Sequence, residues 1–175
     1  MNLFIVKKVI SGILLLLWCL PAKAQAPKPS QHGTVSQQIA GTKITIEYNR
    51  PVARGRELFG SLVRWGRVWN PGADDATNIA ISTDVEINGA KLAAGTYSLW
   101  AEPQPDRWTI IFSKAHPVFH VPYPAGQEAL RVSAIPRKGD HMETLAFYFP
   151  AVDGKKSELV LHWGTVVVPL SLTVP

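Results

Sequence analysis

Lys43-Ile44-Thr45-Ile46-Glu47-Tyr48 sets two isoleucines and a tyrosine on one side of the chain and lysine, threonine and glutamate on the other. Successive side chains of an extended backbone point to opposite faces, so strict alternation marks a strand with one buried face. Outward from this stretch the same period recurs. Ile79, Ile81, Thr83, Val85 and Ile87 oppose Ala80, Ser82, Asp84 and Glu86, while Trp108, Ile110 and Phe112 oppose Thr109, Ile111 and Ser113. Leu130, Val132 and Ala134 continue the pattern, followed by Leu145, Phe147 and Phe149 and by Leu159, Leu161 and Trp163. Val166, Val168, Leu170, Leu172 and Val174 end it.

Turn chemistry separates these runs. Asn88-Gly89 suits a two-residue type I′ hairpin, whose central positions both need positive φ. Asp153-Gly154 gives the same signal later, and Gly95 opens a further strand, residues 96–102. On that strand Trp100 opposes Tyr97 and Leu99, so an aromatic faces outward unless a loop covers it. No segment holds helical apolar spacing, and only residues 56–65 could form a turn or two of helix. Eight or more short strands at this spacing predict an all-β fold, a two-sheet antiparallel β-sandwich of jelly-roll-like type. Pro169, inside the last run, predicts an edge or a bulge there. Residues 116–127, rich in proline, form an irregular loop.

The N-terminus reads differently. Lys7 and Lys8 precede an apolar run, residues 9–20, too short for the roughly 20 residues that span a bilayer. Pro21 and the small residues of Ala22-Lys23-Ala24 then supply a signal-peptidase site. Residues 1–24 are therefore expected to be a cleaved signal peptide, with Ala24-Gln25-Ala26 as a second frame, residues 25–33 a disordered lead-in, and residues 34–175 a single β-sandwich domain. The bulky Trp18 argues against lipid attachment at Cys19. Localisation is expected to be periplasmic or extracellular, with no transmembrane helix after cleavage. Cleavage removes the one cysteine, and with it disulfide and thiolate chemistry. It also removes three lysines while all 13 acidic residues stay, so a net charge of +5 falls by three to +2. That balance speaks against a nucleic-acid partner.

Arg50, Arg54, Arg56, Arg64 and Arg67 crowd one stretch with Phe59, Trp65 and Trp69, and Asp74-Asp75 follow. A guanidinium pairs bidentately with carboxylate or phosphate and stacks on rings, so such a stretch can bind an anion or a sugar. The competing reading is structural, with the arginines paired to Asp74 and Asp75. No metal site is expected: His116 and His120 are four apart, but Pro117 denies them a helix, and His32, His141 and His162 are scattered. His162 is expected to face solvent. There is no G-x-S-x-G elbow, and adjacent Asp74 and Asp75 on an extended segment point to opposite faces, so a carboxylate pair would have to recruit Glu57 or another distant residue.

The ordered motifs Val35-Ser36-Gln37-Gln38-Ile39, Ile46-Glu47-Tyr48-Asn49-Arg50-Pro51, Gly66-Arg67-Val68-Trp69-Asn70-Pro71-Gly72-Ala73 and Leu92-Ala93-Ala94-Gly95-Thr96-Tyr97-Ser98-Leu99 cover much of the domain. The chain thereby resembles a family of exported bacterial proteins known as a domain of unknown function, number twenty-nine eleven. The resemblance implies an exported β-sandwich and carries no activity with it. Family members tend to show arginine at the position of Asn70 and an Asn-Glu pair at Asp74-Asp75.

Together these readings lead to an expectation of a binding module without catalysis, for a glycan, an envelope component or a small anionic ligand. Arg50 and Arg56 would supply fork donors, Trp69 a stacking face, and Asp74, Asp75 and Thr77 hydrogen bonds; no cofactor is expected. A small hydrolase using carboxylates and a structural partner in an envelope assembly are the alternatives.

Overall fold

The computed structural model describes residues 30–175; the expected signal peptide, Cys19 and most of the lead-in lie outside the described residues. Eleven strands and no helix make up the described part. Its first sheet contains β1 (Gln31–Ile39), β2 (Thr42–Arg50), β3 (Asn78–Ile81), β6 (Gly95–Pro103), β7 (Trp108–Ser113) and β8 (Glu128–Ala134), in that spatial order. Its second is ordered β10 (Val152–Asp153), β11 (Lys156–Thr173), β4 (Val85–Ile87) and β5 (Ala90–Leu92), with β9 (Arg137–Tyr148) also paired to β11. All pairings between these strands are antiparallel. The molecule is the expected all-β sandwich, and no described helix is long and apolar enough to cross a membrane.

The alternation decides which faces meet. Ile44, Ile46, Ile79, Leu99, Ile110 and Phe112 from the first sheet join Ile87, Leu145, Leu159, Leu161 and Leu172 from the second in one buried cluster. Each such side chain contributes about 1.5–3 kcal/mol when removed from water. The outer face of β6 and β7 is covered as well. Trp100, buried there with Ile111 and Ala76, donates its Nε1–H to Ser98 Oγ at 2.8 Å, and Tyr123 of the proline-rich loop meets it edge-on at 5.2 Å.

Asn88 and Gly89, at φ 49° and 80°, make the predicted tight turn between β4 and β5. Ala40 and Gly41 do the same between β1 and β2, at φ 44° and 89°, although alanine is an unfavourable residue for a left-handed position.

Several expectations need correction. Residues 31–33 are not disordered: they pair with Arg50, Asn49 and Tyr48 as the start of β1. The run from Ile79 to Ile87 is not one strand, since it breaks after Ile81 and resumes at Val85 in the other sheet. Ile79, Ile81, Val85 and Ile87 stay buried because the interior between the sheets receives them from both sides, while Thr83, at the break, is exposed. Conversely, the two C-terminal runs are one strand. The apolar parity flips between Trp163 and Val166 because Gly164 takes φ 58°, with register shifts against β9 on either side. Pro169 falls between the last β9 pair, Val167–Arg137, and the first β4 pair, Leu172–Ile87. Residues 56–65 form turns without helix. His162 does not face solvent: β9 covers it, with Nε2 3.0 Å from the Asp140 carbonyl and Nδ1 3.3 Å from the Tyr148 hydroxyl.

Candidate functional site

The connection from β2 to β3 has no regular strand, yet it joins both sheets at one end of the sandwich. Ala53 N–H donates to the Glu143 carbonyl of β9 at 2.7 Å, and Leu145 N–H to the Pro51 carbonyl at 2.9 Å. Further along, Trp69 and Ala101 of β6 exchange two backbone bonds of 2.8 Å. Leu58, Val63 and Phe59 pack into the core between these anchors.

Pinned this way, the connection builds an aromatic cluster. Trp69 stacks on Trp163 of β11 with centroids 6.0 Å apart and planes within 14°, and Phe59 meets Trp163 and Trp108 edge-on. Trp65, 39% exposed, stacks on Phe59 and lies over Gly60, where any Cβ would come within 2.7 Å of its Nε1. Gly164 takes φ 58°, where glycine is favoured, and a Cβ there would sit 2.8 Å from Leu58 Cδ1 and push that side chain aside.

Two adjoining cavities open over this cluster and share Arg56 and Trp163 in their walls. One, of about 330 Å³, is bounded also by Glu57, Trp65 and His141. The other, of about 280 Å³, is bounded by Arg54, Leu62 and Trp69. Arg56 is fixed by its own turn, with Nε donating to the Ala53 carbonyl at 2.9 Å and Nη2 to the Val52 carbonyl at 2.7 Å. Its Nη1 has no protein partner among the described residues.

Glu143 ties the site together. One carboxylate oxygen accepts from Arg54 N–H at 2.6 Å, the other lies 2.8 Å from His141 Nε2, and its carbonyl accepts from Trp163 Nε1 at 3.3 Å. The hydrogen bond with His141, and after it that from the Arg54 backbone, holds the carboxyl below the usual 4.5. The unfolded chain therefore binds more protons than the native one just below pH 4.5. Stability from this clamp is complete above pH 4.5 and is lost as pH falls through the lowered native value. Glu143→Gln is expected to flatten the stability profile on that acid side, as read by chemical denaturation at a series of pH values.

The six residues singled out by the sequence do not form one constellation. Arg56 and Trp69 line the cavities, whereas Arg50 packs along Gly33 and donates Nε–H to the Leu145 carbonyl at 3.3 Å. Thr77 is fully buried, with its hydroxyl on the Pro71 carbonyl at 2.8 Å. Asp74, at φ 60°, receives His120 N–H on its carbonyl at 3.0 Å, and exposed Asp75 bridges to Phe119. Neither aspartate lines these two cavities, and Arg50, Arg56 and Asp75 enter no ion pair among the described residues. Sequence reading passed over His141, Glu143 and Trp163 as site residues. Only the sheet pairing brings them beside residues 54–69, so no local spacing could have shown them. No described group of histidine and acidic residues could hold a metal ion.

Fold and site together define a class: a two-sheet β domain whose strand-to-strand connection closes one end and carries an arginine-edged aromatic cleft. The chain belongs to the family described as Protein of unknown function (DUF2911), whose model matches residues 30–172. No curated protein and no solved structure matches it.

Proposed function

We propose that the protein is an exported binding module, without catalysis, whose cleft takes a small ligand bearing both a flat apolar face and a negative charge, such as an acidic sugar of the cell envelope. The observation that carries this reading is the sharing of Arg56 and Trp163 by both cavities. The guanidinium is oriented in advance by two backbone carbonyls and keeps Nη1 for a ligand, so little ordering entropy opposes binding. Trp65, which is partly exposed, supplies a surface for a sugar ring above the buried Trp163, and His141 adds a second polar group.

Thermal shift and calorimetry with a panel of acidic oligosaccharides test this. Binding at one hundred times Kd adds about 2.7 kcal/mol to stability. The shift is expected to vanish in Arg56→Ala and to shrink in Trp65→Ala, whose side chain is partly exposed and whose loss leaves the core intact. A panel without any shift, or a shift unchanged in both variants, overturns the reading. Glu57 and His141 in one cavity give a hydrolytic alternative its only footing. Breakdown of an oligosaccharide that Glu57→Gln abolishes would establish that alternative instead.

A further inference from the structure

Sheet edges offer unpaired backbone donors and acceptors to any extended chain, and proteins ordinarily blunt them with charge, proline, bulges or brevity. Four of the five edges here are blunted: β9, paired only with β11, carries Arg137, Lys138, Asp140 and Glu143 and is bridged at Thr144 by Val52. β10 and β5 are two and three residues long. β8 carries Glu128 and Arg131, shifts register against β7, and has its Ser133 carbonyl occupied by Asn88 Nδ2 at 2.7 Å.

β1 is different. It runs for nine residues, QHGTVSQQI, without a lysine, arginine, aspartate, glutamate or proline, and pairs with β2 in unbroken register from Gln31–Arg50 to Ile39–Thr42. The direction of its backbone follows from β2. Lys43 donates N–H to Ser82 Oγ at 2.8 Å and accepts Ser82 N–H at 3.0 Å, so its backbone faces β3. By alternation, the residues opposite Lys43, Thr45, Glu47 and Asn49 turn their backbone away from β2; these are Gln38, Ser36, Thr34 and His32. Among the described residues these outward groups have no backbone partner, and the Gln38 carbonyl alone takes a side chain, Gln37 Nε2 at 2.9 Å.

We propose that β1 is the docking edge for a second copy of this chain, joined antiparallel about a two-fold axis at Val35, so that the six-stranded sheets of two molecules run on as one. Uncharged along its length, the strand meets its own copy without repulsion and has no sign with which to choose a charged partner. Outward-facing residues must pair with outward-facing residues to exchange both backbone bonds, and the axis at Val35 sets Thr34 against Ser36 and His32 against Gln38 of the other copy. It also sets Val35 against Val35 at a position without backbone bonds, where side chains come closest. Val35 is half-buried and already packs on the core, so the pairing extends the apolar interior across the joint. This inference is independent of the cleft.

Sedimentation velocity on the purified chain across a wide dilution series tests it. A dimer is expected. Thr34→Pro removes an outward N–H while leaving the ladder to β2 intact, and should raise the dissociation constant at least about tenfold with an unchanged far-ultraviolet spectrum. In a Cys19→Ser background, Val35→Cys should form a disulfide between copies on mild oxidation, while Gln37→Cys, off the axis, should not. A monomer at every concentration overturns the proposal. So does a dimer indifferent to Thr34→Pro, a cross-link at position 37 in place of 35, or capture of a different protein's strand by a monomeric chain.

Discussion

Trp163→Ala is expected to lower the free energy of unfolding by about 3–5 kcal/mol, the cost of emptying a large aromatic site in a packed interior. Trp163 is 2% exposed, stacks on Trp69, meets Phe59 edge-on and donates to the Glu143 carbonyl. Alanine would leave a void under both cavities, while the Glu143 carbonyl would keep the Ala53 N–H as its donor. Urea denaturation followed by circular dichroism measures the effect. Trp163→Phe, which refills most of the volume, should recover more than half of the loss; equal losses for the two variants would show that the site collapses around the gap. Because Trp163 forms a wall of both cavities, the alanine variant should also lose any ligand-dependent stabilisation.

Asn70→Ala is expected to cost about 2–4 kcal/mol, since two buried backbone groups lose their partner and the desolvation cost of each is no longer offset. Asn70 is 2% exposed; Nδ2 donates to the Leu99 carbonyl at 2.7 Å, and Oδ1 accepts Thr77 N–H at 3.2 Å. The amide thus performs, for the 70–77 turn, the pairing that a strand neighbour would otherwise give. Asn70→Asp should be no milder, because it keeps the acceptor but loses the donor and buries a charge. A loss below about 0.5 kcal/mol in Asn70→Ala would mean that water enters and replaces the amide.

Those two residues show what the sequence makes visible. Ile44, Ile46 and Tyr48 announce their strand because one face of it meets the core and the other stays polar, and that contrast survives in the order of letters. Where both faces are covered the contrast fades: Ile111, opposite Phe112 and Ile110, is buried under the 70–77 turn and the proline-rich loop, which no period reveals. Ile79 to Ile87 reads as one strand because alternation cannot distinguish a strand that continues from one that crosses to the facing sheet. Of the site, Arg56 and Trp69 were legible from their crowding in a loop. Asp74, Asp75 and Thr77 belonged to the same crowd, yet the chain turns them toward the roof of β6 and β7. His141, Glu143 and Trp163 depend on how β9 and β11 pair, a matter of contacts far apart in the chain.

β11 has one more consequence, for the moment of synthesis. β9, β10 and β4 all pair with this one strand, and it follows every one of them in sequence. A polypeptide emerging from the ribosome can close the β1–β2 hairpin early, but its second sheet has no spine until β11 has followed β4, β5, β9 and β10 out. During that interval the inner face of the first sheet is bare, which is the condition holdase chaperones bind. The placement of its longest strand after its partners thus keeps the domain from locking shut before all of them have been made.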